Sequence, residues 1–128
     1  MVIDTSAIVA ILTDEPERPT LTAKIAADPR RLVSAATLLE MSIVTEAKLG
    51  EAGGRELDLF LHRAKAQVVA VDEEQVQAAR VAWRRYGKGR HAAGLNYGDL
   101  FGYALARTAG EPLLFKGNDF SQTDIAPA

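Results

Sequence analysis

Cysteine is absent from the 128 residues of this chain, and histidine occurs only twice. Without cysteine the chain can form neither a disulfide nor a thiolate metal site, and this composition is typical of a reducing compartment. A metal site built from its own side chains would use oxygen ligands. Such ligands select Mg²⁺ or Mn²⁺ over zinc.

The chain also lacks a strong net charge and a long hydrophobic run. Its formal net charge is −2, so a polyanionic partner would need a local basic patch or bound cations. The apolar run at residues 7–12 follows an acid, has no basic leader and is shorter than the roughly 18 residues of a membrane span. We therefore expect no export, no membrane insertion and a cytoplasmic location.

Hydrophobic residues make up 48% of the sequence, and a chain of this size buries roughly two-thirds of the surface that its unfolded form exposes. We find no internal repeat and no low-complexity tract. We therefore expect one domain, residues 1–128.

Short apolar runs alternate with helical stripes along the whole chain. We predict strands at residues 1–4, 31–34, 67–71 and 113–115. We predict helices at residues 6–12, 21–28, 37–52, 57–64, 72–86 and 98–108. Because most strands are continuous apolar runs separated by helices, the predicted fold is α/β, with a short, mostly parallel sheet flanked by helices on both faces.

Four carboxylates stand at the edges of these elements: Asp4, Glu40, Asp99 and Asp119. Asp4 and Asp119 each follow a predicted strand, and open α/β sheets bind ligands at the carboxyl ends of strands. Glu40 lies on a mostly apolar helical stripe, where an ionised group needs a partner or a cation. Asp99 falls in the first turn of its helix, where the helix dipole favours an anion.

Each carboxylate also has an ordinary structural explanation. Asp4 and Asp99 can cap helices, Asp119 can be a turn residue, and Glu40 can reach water or a basic side chain. All four would nevertheless lie on one rim of one sheet, which favours a shared site. Their mutual repulsion would be relieved by a divalent cation, which could activate water to hydrolyse a phosphodiester and leave a 5′-phosphate and a 3′-hydroxyl.

Several stretches carry a family likeness: VIDTSA at residues 2–7, Glu40 after SAAT at residues 34–37, residues 86–99, and FKGNDF at residues 115–120. Together they resemble PIN-domain ribonucleases, and among these the VapC-type toxins of prokaryotic toxin–antitoxin modules. The likeness covers almost the whole chain, in order.

The resemblance implies a Mg²⁺- or Mn²⁺-dependent endoribonuclease that cuts structured RNA such as tRNA or rRNA and is restrained by a cognate antitoxin. It implies four catalytic, metal-binding acids: Asp4, Glu40, Asp99 and Asp119, the last able to act through water. It implies hydrogen-bond support from Thr5, Ser6 and Asn118. Family members also tend to form homodimers and larger assemblies with antitoxin.

One basic segment interrupts the acidic chain, because residues 80–91 contain five arginines or lysines, one histidine and no acid. We predict that RNA phosphates contact Arg85, Lys88, Arg90 and His91. The alternative is a solvated helix end whose cations complement the helix dipole, followed by a loop.

Two other functions are compatible with parts of the pattern. A phospho-acceptor or phosphatase domain also places an acid after a strand, but phosphatases have a second Asp where this chain has Ser6, and receivers have an acidic pair where only Asp4 stands. A PIN-fold module that binds RNA or a partner without catalysis is the other alternative, and the presence of all four acids argues against it.

Overall fold

The computed structural model describes residues 1–128. The strands are β1 (Val2–Ile3), β2 (Leu32–Ser34), β3 (Gln67–Val69) and β4 (Leu113–Leu114). The α-helices are α1 (Thr5–Leu12), α2 (Arg18–Ala27), α3 (Ala35–Arg63), α4 (Glu73–Tyr86) and α5 (Tyr97–Ala109), and a single 3-10 turn follows at Phe120–Gln122. The predicted α/β class is confirmed. No helix combines the length and the apolar composition that crossing a membrane requires.

The four strands form one parallel sheet in the order β3-β2-β1-β4. Val2 of β1 pairs with Leu32 on one side and with Leu113 on the other. The next strand in the chain, β2, therefore lies on one side of β1, and the last strand, β4, lies on the other side. Such a reversal of strand order opens a crevice beyond the carboxyl ends of the strands, and Asp4 follows β1 directly.

Hydrophobic clusters cover both faces of the sheet. Ile3 and Leu114 point into a cluster supplied by α1, α2 and α3. Val2 and Leu113 point into a second cluster, supplied mainly by α4 and α5. Neighbouring residues of a strand face opposite sides, so the two-residue strands β1 and β4 serve both clusters. Strand β3 is not covered in this way, because it lies at the edge of the sheet and its Val68 is half-exposed.

Helix α3 agrees with the sequence prediction except at one boundary. We predicted two helices, at residues 37–52 and 57–64, because glycines lie between them, and the structure has two helical segments that meet at a kink at Gly50. Gly50 has φ +72° and ψ −170°, a left-handed conformation that residues with a side chain rarely adopt. Helical backbone resumes after it, and the second half packs Leu57 and Leu61 into the core.

The packing of the second half of α3 can be tested by comparing two leucines that differ in burial. Leu57 is fully buried, whereas Leu59 is 41% exposed. We expect Leu57→Ala to lower the free energy of unfolding by about 2–5 kcal/mol, and Leu59→Ala to lower it by less than half as much because less apolar surface is lost. Urea unfolding followed by circular dichroism measures both. Equal losses would contradict this packing of α3.

Candidate active site

Asp4 joins the central strand to the first helix. It follows β1 and is the N-cap of α1, with an extended backbone conformation. Its Oδ2 accepts hydrogen bonds from the Ser6 backbone N–H at 3.0 Å and from Ser6 Oγ at 2.6 Å. The capping role considered for this residue is therefore real, but both bonds end on one oxygen. The side chain is buried, and its Oδ1 is left for another ligand.

Asp99 lies in the first turn of α5, three residues after the N-cap Asn96. It forms a capping box with Asn96: Asp99 Oδ2 accepts from the Asn96 N–H at 3.0 Å, and Asn96 Oδ1 accepts from the Asp99 N–H at 2.9 Å. Here too the cap uses one carboxylate oxygen. Capping and metal binding are therefore compatible in both residues, although from the sequence they were alternatives.

Glu40 reaches the site from the first half of α3. Its Oε1 accepts a hydrogen bond from Thr5 Oγ1 at 2.5 Å. Its Oε2 lies against the backbone of α5, where a Cβ placed on Gly98 would be 1.9 Å from that oxygen. A side chain at residue 98 would therefore displace the carboxylate. Glu40 is held between α1 and α5 by one hydrogen bond and one close backbone contact.

Three of the four predicted acids share one pocket of about 350 Å³. It is lined by Asp4, Thr5, Ser6, Val9, Glu15, Glu40, Val44, Asp99 and Lys116. Asp119 and Asn118 are outside this lining, both exposed in the turn before the 3-10 helix. Asp119 occupies the N-cap position of that turn without a side-chain capping bond.

Burial and mutual repulsion make the acids difficult to ionise together. Burial, and secondarily the charge of Glu40, raise the pKa of Asp4, although its hydrogen bonds with Ser6 oppose the shift. Burial raises the pKa of Asp99 to about 6, helped by the charges of Asp4, Asp119 and Glu40. Asp119 therefore acts electrostatically on the site from outside the pocket lining.

The donor set of this pocket suits a hard divalent cation. It offers carboxylate and hydroxyl oxygens and contains neither histidine nor cysteine. No three acidic or histidine side chains of the chain surround one point closely enough to hold an ion by themselves. An ion here would use fewer carboxylates and fill its shell with water, which is the usual coordination of Mg²⁺.

The predicted RNA-contacting segment lies outside the pocket. None of its four residues lines it: Arg85, Lys88, Arg90 and His91. Arg85 pairs with Asp124 at 3.3 Å, and the Arg90 guanidinium stacks 4.1 Å above the Trp83 ring. These contacts belong to the end of α4 and the following loop. RNA contact by this segment stays a prediction.

Sequence reasoning missed Glu15 and Lys116, which also line the pocket. Lys116 comes just after β4 and donates its backbone N–H to Ser6 Oγ at 3.0 Å. The rule that drew attention to Asp4, a polar residue at the carboxyl end of a strand, applies to Lys116 as well. Glu15 carries no comparable signal, because only the turn between α1 and α2 brings it to the rim.

A family model for the PIN domain matches residues 1–126 of the chain. The chain belongs to the PIN domain family. It is 64% identical to a Ribonuclease VapC of Mycolicibacterium smegmatis over 98% of both chains. It is 61% identical to Ribonuclease VapC30 of Mycobacterium tuberculosis, over 98% of this chain and 96% of the relative. Within the PIN family it is therefore a VapC-type ribonuclease.

Solved structures of a VapC toxin and of a toxin–antitoxin complex share the fold. VapC20 of Mycobacterium tuberculosis, described as a Sarcin-Ricin loop cleaving toxin, superposes with a TM-score of 0.80 at 16% identity, covering 99% of this chain and 97% of VapC20. A toxin–antitoxin complex from Klebsiella pneumoniae gives 0.72 at 14% identity, covering 96% and 92%. At these identities the likeness shows the fold alone. It confirms the predicted PIN-type architecture.

The raised pKa of Asp99 predicts how stability depends on pH without metal. The folded protein holds this proton up to about pH 6, whereas the ordinary pKa is 3.8. The contribution of Asp99 to stability should therefore fall as the pH rises from about 4 to about 6 and stay low above that. Asp99→Asn cannot ionise, and its amide oxygen can still cap Asn96, so its stability relative to the wild type should increase through this window. Urea unfolding in EDTA measures both proteins, and parallel pH curves would contradict the prediction.

Proposed function

We propose that the acidic pocket is the centre at which this VapC-type chain hydrolyses RNA with the help of Mg²⁺ or Mn²⁺. As a VapC-type ribonuclease, the chain is the toxin component of a toxin–antitoxin module. The observation that carries the site assignment is that Asp4 and Asp99 face one pocket and each uses only one carboxylate oxygen for helix capping. We propose that residues 1–128 act as one nuclease domain.

The side chains of the pocket have separable roles in this proposal. Asp4 and Asp99 hold the ion, and Ser6 fixes the orientation of Asp4 through its two hydrogen bonds. Thr5 holds Glu40 beside them, and Asp119 acts from the rim, through water, with Asn118 supporting its turn. When bound, Mg²⁺ or Mn²⁺ stabilises negative charge on the phosphate and makes water a stronger nucleophile. The expected products carry a 5′-phosphate and a 3′-hydroxyl.

We propose structured RNA of the tRNA or rRNA class as the substrate and the cytoplasm as the place of action. With a net charge of −2, the chain needs local cations to bind RNA. Lys88 and Arg90 are exposed beyond the end of α4. We propose that their segment, with Arg85 and His91, contacts RNA phosphates away from the cleaved bond.

The site assignment can be tested by substitutions that keep the shape of the carboxylates. We expect Asp4→Asn and Asp99→Asn each to reduce Mn²⁺-dependent cleavage by more than about 100-fold, because even partners outside the first ligand shell cost 10–100-fold. EDTA should abolish wild-type cleavage, and ligation-based mapping should find 5′-phosphates at the new ends.

A matched control is available in Asp72, the N-cap of α4, whose side chain accepts a hydrogen bond from the Gln75 N–H at 2.9 Å. It caps a helix as Asp4 does but is not in the pocket lining. Asp72→Asn should therefore leave cleavage unchanged. Full activity of Asp4→Asn or Asp99→Asn would remove the proposed site. A wild-type protein that binds but does not cut RNA would favour the non-catalytic alternative.

We propose that the chain forms a homodimer through an exposed apolar face beside the pocket. Two apolar depressions, of about 350 and 320 Å³, meet at Tyr97 and Phe101, between α4 and α5 and between α3 and α5. Tyr97 is 78% exposed and Ile43 is 61% exposed. A contiguous apolar face of this kind is unusual on a monomer and favours a protein interface.

We propose a different surface for the cognate antitoxin. A cleft of about 400 Å³ lies between α1, α2 and the second half of α3, and its apolar floor is flanked by charged side chains. Its apolar lining is Ile11, Leu12, Leu59 and Phe60, and its basic residues are Arg18 and Arg63. A cleft with this mixture suits an amphipathic segment of a partner. The dimer and the antitoxin would then use separate faces.

The dimer proposal predicts the oligomeric state of two matched variants. Ile43→Glu should convert the dimer to a monomer, because it places a charge in the apolar interface. Val81→Glu changes a residue of similar exposure on α4 that lines neither depression, so it should stay dimeric. Size-exclusion chromatography with light scattering measures both. A monomeric wild type, or a dimeric Ile43→Glu, would contradict the proposal.

A further inference from the structure

Lys116 is the only positively charged side chain that lines the acidic pocket. It stands at the mouth with its side chain 36% exposed, opposite a lining that contains four acids. An RNA phosphate that enters this pocket meets carboxylates on most sides. A positive charge of the chain at the mouth would therefore offset part of the repulsion between these carboxylates and an approaching RNA phosphate.

The position of Lys116 is coupled to that of Asp4 through a single hydroxyl group. The Lys116 backbone N–H donates to Ser6 Oγ at 3.0 Å, and Ser6 Oγ donates to Asp4 Oδ2 at 2.6 Å. The chain beyond β4 is thus tied to the start of α1. This places the base of the Lys116 side chain at a defined distance from the metal-binding edge of the pocket.

The ammonium group of Lys116 is held by two acids from the α1–α2 connection. Its Nζ pairs with Glu15 Oε2 and lies 3.3 Å from Glu17 Oε2. The Glu15 N–H donates to the Ala10 carbonyl at 2.9 Å, and Asp14 before it has a positive φ of 56°. A specific turn therefore brings Glu15 to the ammonium. These contacts raise the pKa of Lys116, first through its hydrogen bond with Glu15, so the side chain stays cationic.

Solvent-exposed ion pairs are weak and are readily exchanged for other partners. The three side chains of these two ion pairs, Lys116, Glu15 and Glu17, are all about one-third to one-half exposed. A phosphate oxygen is an equally suitable partner for an ammonium group. Lys116 can therefore leave Glu15 and Glu17 for RNA without disturbing the backbone contact that positions it.

We propose that Lys116 binds a phosphate of the RNA that enters the acidic pocket, and that Glu15 and Glu17 compete with the RNA for its ammonium group. The proposal rests on the ribonuclease function proposed above. The competing explanation is a structural clamp, in which the same ion pair only fastens the segment after β4 to the α1–α2 connection. The two explanations predict opposite results when the acids are neutralised.

The experiment measures RNA binding in an Asp99→Asn background, which prevents cleavage, with fluorescein-labelled bulk tRNA at fixed Mg²⁺. Lys116→Ala should raise the dissociation constant about tenfold, as expected for one charge-assisted contact. It should also reduce the slope of log affinity against log salt by about 0.7 to 0.9, the contribution of one phosphate contact. Lys116→Arg should keep most of the wild-type affinity and most of the wild-type salt slope.

The double variant Glu15→Gln/Glu17→Gln should change binding in the opposite direction. With its competitors neutral, Lys116 should bind tRNA about two- to fivefold more tightly. If the ion pair is only a structural clamp, the double variant and Lys116→Ala should each lose both thermal stability and RNA affinity. That result would overturn the proposal. Unchanged affinity and salt slope in Lys116→Ala would also overturn it.

Cleavage assays on the proteins with Asp99 intact separate the proposed role of Lys116 from the proposed ribonuclease function. Wild-type cleavage in Mn²⁺ together with a lower kcat/KM for Lys116→Ala supports both. If the wild type cleaves and Lys116→Ala cleaves equally well, only the role of Lys116 is wrong. If the wild type cleaves no RNA, the proposed ribonuclease function is wrong, whatever Lys116 binds.

Discussion

The structure depends on the burial of one carboxylate, Asp4, at the end of the central strand. Burying an ionisable group is unfavourable unless hydrogen bonds or a counter-charge compensate. Ser6 supplies two hydrogen bonds to the carboxylate, and the same hydroxyl accepts the backbone N–H of Lys116. One side chain thus joins the start of α1, the acidic pocket and the segment after β4. The geometry of the site follows from how this single burial is satisfied.

Two acids of the pocket have a structural role that leaves part of each carboxylate unused. Asp4 caps α1 and Asp99 completes the capping box of α5, each with one oxygen, and both line the pocket. A helix start is rigid and carries a partial positive charge, which partly offsets the repulsion between neighbouring carboxylates. Elements that would stabilise any α/β protein therefore also place the proposed metal-binding groups, which is why the sequence alone could explain Asp4 and Asp99 as ordinary caps.

Much of the fold and part of the site could be predicted from the sequence. Apolar runs alternating with helical stripes are a local signal, and they predicted the strands, the helices and the parallel sheet. The break between the two halves of α3 was predicted, but it lies at Gly50 and the helix resumes earlier than expected, because its second half is held by packing of Leu57 and Leu61 against distant residues. The partnership of Thr5 with Glu40 and the pairing of Lys116 with Glu15 were not predictable, since they join residues 35 and 101 positions apart.

The strand order also has a consequence for biosynthesis. β1 is made first, but one of its two neighbours is β4, and the Asp4 N–H bonds to the Leu114 carbonyl at 2.9 Å. A growing chain on the ribosome therefore holds Asp4, Ser6 and Glu40 long before it holds the strand that completes their surroundings. Contacts so distant in sequence are slow to form, because the long loop between them must first be closed. The pocket around Asp4 therefore gains its last wall only after β4 and Lys116 have been synthesised and β4 has paired with β1.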